Sequence, residues 1–496
     1  MLYSLFEVVV LTVYLVSLTF IVVYSLGQLH LVYLFFRHRK HMLPEPSLTG
    51  DDVPFVTIQL PIYNELYVVE RLLEACASQD YPKDRFEIQL LDDSNDETVS
   101  LAASKLKELE LRGFLVSHVR RPERTGFKAG ALAYGLDVAK GDFVAIFDAD
   151  FLPRADYLRT AMAQFTEPEI GVVQARWEHI NRSYSVFTEM QAFHLDAHFT
   201  VEQLGRNAGG MCINFNGTAG IWRKQCIIDA GNWEGDTLTE DLDLSYRAQL
   251  KNWKFKYLEN VETPAELPIA ISAARSQQFR WNKGGAENFK KMLWKVLKNK
   301  NISAKTKVHG LLHLLNSTMF LNILIVAVLS IPMLYIKNEY THLKAYFLVM
   351  SFFVISTLIF FVCYWIMYRK MYGGGIKNFM NYIGMFFVFF SIAMGFSLHN
   401  SIAVLEGHLG KKSDFVRTPK FNINTIKDSW KNNKYLKKTV SIHVIFEGLL
   451  MLYFAFGMYS AFVVGDHGGD FGLFPFHLML FLGFGYVFFK SLTSKV

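Results

Sequence analysis

The stretch DFVAIFDAD, residues 142–150, decides the fold of this chain. Its middle is an uninterrupted apolar run, typical of a strand buried on both faces of a sheet, and acidic residues follow at once. Two upstream stretches repeat this arrangement: VPFVTIQL (53–60) runs into PIYNE (61–65), and FEIQLLDDS (86–94) ends in acidic residues. The shared pattern predicts three buried strands that each end in a polar cluster.

Helical spacing separates these strands over residues 66–77, 97–111 and 129–139, and a short strand is predicted at 115–119. Strands that alternate with helices indicate an α/β fold with a mostly parallel sheet and crossover helices. Such sheets bind their ligands beyond the carboxyl ends of the strands. The three polar clusters therefore predict a binding site at one rim of the sheet.

Each motif at this rim, taken singly, has more than one interpretation. Asp148 and Asp150, two residues apart at a strand end, can hold a divalent cation while phosphates supply further oxygens. A turn explains the same pattern about equally well, and Asp92 followed by Asp93 is more often a helix N-cap than a ligand. Lys128 can pair with a diphosphate, although a solvated lysine is the commoner reading.

Two motifs farther along the chain carry similar ambiguity. In TLTED (237–241), Glu240 and Asp241 precede a helical pattern, where acids are commonly partners of the helix dipole. In QQFRW (277–281), Gln277, Arg280 and Trp281 would form the polar and aromatic edge of an amphipathic helix at a membrane surface. Three further residues have metal-binding spacing but are interpreted as structural because no fourth ligand accompanies them: His194, His198 and Glu202.

Composition points to a membrane protein. The chain has 496 residues, of which 51% are hydrophobic and only 19% are charged, below the roughly 25% of soluble domains. The four cysteines are scattered and predict neither a zinc site nor a disulfide framework. Six apolar blocks are long enough to approach or cross a bilayer, which takes about 20 residues: 5–36, 311–336, 345–368, 379–404, 440–464 and 472–490.

Basic residues predict the orientation. Positive charge is absent before residue 37 but concentrated over 37–41, so the N-terminus is expected outside and the following domain in the cytosol. A second basic stretch, 411–438, is also expected in the cytosol. An even number of crossings must then separate it from the domain, so we expect block 379–404 to lie in the interface or re-enter, leaving five full spans.

In combination and in this order, DDS, DAD, TED and QxxRW resemble the family 2 processive glycosyltransferases, which include the cellulose, hyaluronan and chitin synthases. The greatest similarity is to the cellulose-synthase-like mannan and glucan synthases, carried also by FNGTAGIWR (215–223) and TEDLDLSYRAQLKNWKFKYLEN (239–260). The resemblance covers about residues 53–295. It departs at 282–285, where NKGG stands in place of the SCGP of plant mannan synthases.

The resemblance implies an α/β glycosyltransferase domain, GT-A-like, inserted between an N-terminal transmembrane helix and a C-terminal transmembrane bundle. The expected boundaries are residues 1–41 for the first helix, 42–270 for the cytosolic catalytic domain, 271–305 for interfacial helices and 306–496 for the bundle with its basic loop.

The resemblance also implies a role for each motif. Asp241 would be the general base, with Glu240 beside it, and Asp148 and Asp150 would hold Mg²⁺ or Mn²⁺. Nucleotide contacts are expected from Pro61, Tyr63, Glu65, Asp92, Asp93, Lys128, Asp148, Gln277 and Arg280. Contacts with the acceptor sugar are expected from Trp281, Asn216, Gly217 and Thr218.

The sequence therefore predicts an inverting, metal-dependent, processive β-glycosyltransferase that polymerises and translocates a β-linked mannan or glucan. GDP-mannose or UDP-glucose is the expected donor, the growing polysaccharide the acceptor, and the bacterial inner membrane the favoured location. Nucleic acid is not an expected partner, and the need for an accessory subunit or a homo-oligomer stays open. The alternatives are transfer of one sugar to a lipid and, from another class, a non-catalytic membrane transporter or scaffold.

Overall fold

The computed structural model describes residues 5–39, 46–423, 428, 433–435, 442–465 and 469–493. Part of both basic runs lies outside these residues, namely Lys40, His41, Lys427, Lys431, Lys437 and Lys438. The strands are β1 Val56–Ile62, β2 Phe86–Asp92, β3 Leu115–Val119, β4 Phe143–Ile146, β5 Ile170–His179, β6 Gly220–Arg223 and β7 Lys254–Ala265.

Helices surround the sheet and form both ends of the described chain. Those of the first half are α1 Leu5–Arg39, α2 Val69–Ala77, α3 Thr98–Leu111, α4 Phe127–Val138, α5 Tyr157–Met162, α6 Val186–Ala197, α7 Leu204–Ala208, α8 Lys224–Asp229 and α9 Glu240–Leu250. Those of the second half are α10 Ile271–Lys298, α11 Ala304–Leu314, α12 Thr318–Glu339, α13 Lys344–Ser351, α14 Val354–Tyr372, α15 Ile376–Gly395, α16 Ser397–Leu409, α17 Ile442–Val463 and α18 Phe474–Thr493.

The seven strands form one sheet in the order β3-β2-β1-β4-β6-β5-β7. Pairing is parallel except at β6, which runs antiparallel to both of its neighbours. The predicted strands at 86–94 and 115–119 become β2 and β3 almost unchanged: β2 is fully buried, and β3 is a partly exposed strand that pairs with it at the edge of the sheet. The predicted α/β fold with a mostly parallel sheet is confirmed.

Six helices among the described residues are long and apolar enough to cross a membrane. They are Leu5–Arg37, Thr318–Glu339, Lys344–Tyr372, Ile376–Gly395, Ile442–Val463 and Phe474–Thr493. Apolar helices thus stand at both ends of the α/β domain, as the sequence predicted. The block at 379–404 breaks after Gly395 into α15 and α16; α15 alone is long and apolar enough to cross, so the expectation that this block does not cross stays a prediction.

Helix α15 packs closely on α18, since a Cβ at Gly395 would lie 2.3 Å from the carbonyl oxygen of Gly483. Aromatic rings also join this segment to α6: Tyr382 and Phe389 of α15 contact Phe193, and Phe396, just after α15, contacts Phe187, with ring centroids 5.4–6.3 Å apart. Near the end of α16, a Cβ at Gly407 would lie 2.6 Å from the carbonyl oxygen of Lys283 in α10. The segment from α15 to α16 therefore contacts both α6 and α10.

Candidate active site

A cleft opens at the carboxyl ends of β1, β2 and β4, where the predicted parallel sheet was expected to carry a binding site. Most of the predicted site residues line it: Pro61, Tyr63, Glu65, Asp93, Lys128, Asp148, Asp150, Asn216, Gly217, Glu240, Asp241, Gln277, Arg280 and Trp281. Residues from seven separate stretches of the chain thus meet in one place. The predicted site residues that do not line the cleft are Asp92 and Thr218.

Asp92 is buried on the other side of the strand end. Its carboxylate accepts a hydrogen bond from the backbone N–H of Ser94 at 2.8 Å and lies 2.8 Å from Nε2 of His118 on β3. The expected nucleotide contact of Asp92 is therefore withdrawn. Successive side chains of a strand point to opposite faces of the sheet, so Asp93, the next residue, faces the cleft while Asp92 does not.

Asp93 is held by a two-pronged contact. Arg121 donates from Nε and Nη2 to its two carboxylate oxygens at 2.8 and 2.6 Å, an arrangement that fixes the plane of the carboxylate. Beside it, the guanidinium of Arg124 lies over the ring of Tyr63, 3.5 Å from the centroid. This corner combines an aromatic face, a cation and an oriented carboxylate, which suits a nucleobase and ribose.

Asp148 and Asp150 form the centre of the cleft. Lys128 donates to Asp148 Oδ1 at 2.6 Å, and Thr218 Oγ1 accepts from the Asp148 backbone N–H at 2.9 Å. Thr218 is thus a support of the Asp148 backbone, which explains why its side chain does not reach the cleft. Burial lowers the pKa of Lys128, but Asp148 and Glu240 outweigh this effect, so its pKa is raised and it stays charged.

The donor set here suits a divalent cation. Asp150 is buried, and its Oδ1 has no hydrogen-bond partner among the described residues, although its Oδ2 lies 2.5 Å from Nζ of Lys420. Paired carboxylate oxygens with spare lone pairs are the ligands that Mg²⁺ and Mn²⁺ prefer. Asp148 and Asp150 therefore fit the metal-binding role that the sequence predicted for them.

The TED motif places two carboxylates at the start of α9. Glu240 is buried, whereas Asp241 is partly exposed in the cleft. Burial, with the neighbouring charge of Glu240, raises the pKa of Asp241 to about 7. Burial likewise raises the pKa of Glu240. A carboxylate with a raised pKa is a stronger proton acceptor than an ordinary one.

Glycines bring other elements against this motif. A Cβ at Gly217, whose φ is +79°, would lie 2.9 Å from Oδ2 of Asp241, so the Asn216–Gly217 turn passes directly over the carboxylate. A Cβ at Gly284 would lie 2.8 Å from the backbone nitrogen of Thr239, so α10 packs on the residue before the acids. The NKGG stretch thus fixes the QxxRW helix against the TED motif.

The loop at 415–420 enters the cleft, which the sequence analysis missed. Arg417 pairs with Glu65 at 2.6 Å, Lys420 with Asp150 at 2.5 Å, and Arg280 donates to Thr418 Oγ1 at 3.0 Å. Burial raises the pKa of Glu65 to about 7 even though Arg417 opposes the shift. The one sequence signal for this loop is its run of basic residues, which predicts a cytosolic location but not a place in the cleft.

A second cavity, of about 370 Å³, continues from the cleft toward the apolar helices. Asn216, Asp241, Gln277 and Trp281 line both cavities, so the two share a wall. Aromatic residues dominate its far end: Phe320, Phe360, Tyr364, Phe389, Phe390 and Phe396. Flat aromatic faces beside a few polar groups suit the apolar faces of pyranose rings.

One other acidic cluster resembles a metal site but holds a lysine instead. Oxygens of Glu234, Asp236 and Asp243 lie within 4.8 Å of one another. The ammonium of Lys291 lies 2.6, 2.8 and 2.9 Å from these three carboxylates. Its charge already occupies the centre of the cluster, which ties α10 to α9 rather than binding a cation.

The comparisons with known proteins agree with this geometry. The sequence matches the family described as Glycosyl transferase family 2 over residues 57–227, and Glycosyl transferase family group 2 over residues 143–398. The second match spans more than half of the chain. The chain therefore belongs to the family 2 glycosyltransferases, which confirms the resemblance read from the motifs.

Among individual proteins, the chain is similar to glucomannan 4-beta-mannosyltransferase 9 of Arabidopsis thaliana, with 42% identity over 268 residues, 53% of this chain and 50% of the relative. Glucomannan 4-beta-mannosyltransferase 1 of Oryza sativa subsp. japonica is 39% identical over 280 residues, 55% of this chain and 54% of the relative. The chain spans about half the length of the curated relatives it matches.

Among solved structures, a mannosyltransferase from Pyrobaculum calidifontis in complex with GDP-Man and Mn2+ superimposes with a TM-score of 0.52. The match covers 80% of this chain and 100% of that one, at 18% identity. At this identity the likeness concerns the fold, and it confirms the GT-A-like fold that the resemblance implied.

Proposed function

We propose that this protein transfers mannosyl units from GDP-mannose to the end of a growing β-linked polysaccharide. One observation carries the proposal: Asp241 lines both the cleft that contains the Asp148–Asp150 pair and the cavity that leads to the apolar helices. A carboxylate at this junction is placed to take a proton from an acceptor hydroxyl while the donor lies on the other side. Synthesis of a glucan from UDP-glucose is the second candidate function.

Support for mannose comes from the curated relatives. Two of them, at 42% and 39% identity, are named glucomannan 4-beta-mannosyltransferases. The Pyrobaculum structure, which shares the fold, is described with GDP-Man and Mn2+. These names favour GDP-mannose over UDP-glucose as the donor for this chain.

In the proposed reaction, the Tyr63–Arg124 corner and Asp93 hold the nucleoside, and Asp148 and Asp150 would hold Mg²⁺ or Mn²⁺. When bound there, the metal neutralises charge that develops on the leaving diphosphate. Lys128 and Arg280 add fixed positive charge to the same end of the cleft, Arg280 with a guanidinium suited to phosphate oxygens.

The acceptor hydroxyl then attacks the anomeric carbon from the side opposite the diphosphate. The new C–O bond forms as the bond to the nucleoside diphosphate breaks, and the hydroxyl proton passes to Asp241. One displacement inverts the configuration, so an α-linked donor gives a β-linked product. A positioned base of this kind contributes about 10² to 10⁴-fold to the rate.

The second cavity supports polymerisation and export. Trp281, on its wall, would stack on the acceptor sugar, and the aromatic residues beyond it would receive the growing chain. The lipid bilayer would surround the apolar helices at residues 1–41 and 306–496, with the domain at 42–270 in the cytosol and α10 in the interfacial segment 271–305.

In this proposal five helices cross, and the segment of α15 and α16 begins and ends on the cytosolic side, because the basic stretch at 411–438 is expected in the cytosol. The contacts of this segment with α6 and α10 support the proposal. The bacterial inner membrane stays a prediction from the sequence; the relatives named above come from plants.

The test uses the full chain, purified and reconstituted in lipid nanodiscs with Mg²⁺ or Mn²⁺. Radiolabelled GDP-mannose, GDP-glucose, UDP-glucose and UDP-GlcNAc are supplied separately, and the products are sized. We expect high-molecular-weight material from GDP-mannose. Polymer from UDP-glucose alone would support the glucan reading, a lipid-sized product would support single transfer, and no product from any donor would contradict the proposal.

A further inference from the structure

The segment between α6 and α7 winds differently from its neighbours. Residues His198–Gln203 form a π-helix, a form that is rare in proteins and frequent at functional sites. Its side chains His198 and Glu202 line the second cavity, next to Asn216. The sequence analysis treated this segment as structural, and the proposed reaction gives it no role.

Two residues of this segment hold the side chain of Asn216 from both ends. Gln203 Nε2 donates to Asn216 Oδ1 at 2.7 Å, and Asn216 Nδ2 lies 3.1 Å from His198 Nε2. Gln203 Nε2 also donates to the backbone oxygen of Asn214 at 2.9 Å, which fixes its own orientation. An asparagine amide held at both its oxygen and its nitrogen cannot rotate freely.

A chain of contacts sets the direction of these bonds. Arg206, which is buried, donates to Glu202 Oε2 at 3.0 Å, and His198 Nδ1 lies 3.3 Å from the same oxygen. Burial raises the pKa of Glu202, but Arg206 and His198 outweigh this effect and hold the pKa well below its usual range. An ionised carboxylate only accepts, so His198 Nδ1 carries the proton and Nε2 accepts from Asn216.

The π winding makes this arrangement possible. In an α-helix, residues five apart point about 140° away from one another, because each turn takes 3.6 residues. In a π-helix the hydrogen bonds run from residue i to i+5, which brings His198 and Gln203 to the same side. The next helix, α7, is anchored on α1, since a Cβ at Gly205 would lie 2.6 Å from the carbonyl oxygen of Leu31.

We propose that the π-helical segment His198–Gln203 acts as a clamp that orients the Asn216 amide for the acceptor sugar and thereby sets acceptor affinity. Once clamped, Asn216 keeps one hydrogen on Nδ2 and one lone pair on Oδ1 for a sugar hydroxyl. The neighbouring Gly217 lies against Asp241, so the clamp aligns the acceptor with the general base. The inference rests on the proposed function, because it takes the second cavity as the acceptor site.

Five variants test the clamp in the full chain in nanodiscs: His198→Ala, His198→Gln, Gln203→Leu, Asn216→Ala and the double variant His198→Ala with Asn216→Ala. The matched control is Gln249→Leu. Gln249 also bonds this region twice, through the backbone of Ile213 at 3.0 and 2.6 Å, but it lines neither cavity. Binding of β-1,4-mannohexaose and cellohexaose is measured by calorimetry, beside binding of GDP and, separately, transfer.

We expect His198→Ala and Gln203→Leu each to weaken hexasaccharide binding by about three- to tenfold, the effect of one or two neutral hydrogen bonds. GDP binding should stay unchanged. The double variant should bind about as weakly as Asn216→Ala alone, because His198 acts through Asn216. His198→Gln, which can still accept from Asn216, should recover part of the affinity.

Additive losses in the double variant, equal losses in Gln249→Leu, or unchanged binding in the clamp variants would overturn the inference. Binding of neither hexasaccharide by the wild-type protein would overturn it as well. Binding without transfer by the wild-type protein would instead contradict the proposed function, while the comparison of affinities would still decide whether the clamp exists.

Discussion

Replacing Asp241 with Asn isolates the proposed general base. The amide has the same shape as the carboxylate, so the packing against Gly217 is kept while the proton acceptor is lost. The Lys128–Asp148 pair at 2.6 Å does not involve this side chain and should hold the donor site together. We therefore expect the turnover rate to fall by about 10² to 10⁴-fold and the affinity for GDP to change by less than about threefold.

The pH profile gives this substitution a second readout. Burial and the charge of Glu240 raise the pKa of Asp241 to about 7 and so favour its protonated form, which cannot accept a proton. Below that pKa, kcat/KM for the wild-type protein should fall about tenfold per pH unit, and above it the profile should level off. The residual activity of the Asp241→Asn variant should not show this fall in kcat/KM at low pH.

The assay is nucleotide release from GDP-mannose between pH 5 and 9, with calorimetry for GDP binding. Asp229→Asn serves as the control, because Asp229 is exposed, lies outside both cavities and accepts a bond from Gln225. Near-normal turnover by Asp241→Asn, or an unchanged acidic limb, would refute the assignment. Equal loss in Asp229→Asn would mean that the assay reports folding rather than catalysis.

Three further predictions concern other parts of the structure. Trp281→Ala should weaken mannohexaose binding by about tenfold and leave GDP binding unchanged in calorimetry, because Trp281 lines the shared wall; equal loss for both ligands would contradict this. In the absence of nucleotide, the Lys420→Ala variant should bind Mn²⁺ at least about threefold more tightly than wild type, because Lys420 competes with the metal for Asp150. Electron paramagnetic resonance measures this affinity, and an unchanged value would exclude the competition. Glu447→Ala should destabilise the protein by about 3–5 kcal/mol, because it leaves the guanidinium of Arg275, only 12% exposed, without its buried partner at 2.5 Å. A melting temperature equal to that of wild type would contradict this, and Arg275→Met with Glu447→Leu should recover stability.

The parts of the fold that sequence predicted well are those with a local signal. The buried runs of β2 and β4 end in acids at the residues expected, because a continuous apolar stretch and its polar end both lie within ten residues. The antiparallel strand β6 was not predicted, since Gly220–Arg223 is only four residues long and its pairing with β4 joins residues about 75 positions apart. Strand order depends on such distant contacts, which no local pattern encodes.

The site was predicted through its motifs, and its misses have physical causes. Asp92 and Asp93 are equivalent in sequence, but the strand turns one inward and one to the cleft. Arg417 and Lys420 reach Glu65 and Asp150 across about 350 and 270 residues, so their charge predicted a cytosolic loop but not its place in the site. The π winding at His198–Gln203 likewise left no signal beyond two histidines and a glutamate at four-residue spacing.

The central claim is that this chain inverts an α-linked nucleotide sugar into a β-linked polymer. The most direct measurement is the anomeric configuration of the product made from GDP-mannose, by proton NMR and by digestion with an endo-β-1,4-mannanase. The account predicts β-linked mannose that the enzyme degrades to short oligosaccharides. A product with α-linkages, resistant to the mannanase, would contradict the single displacement through Asp241.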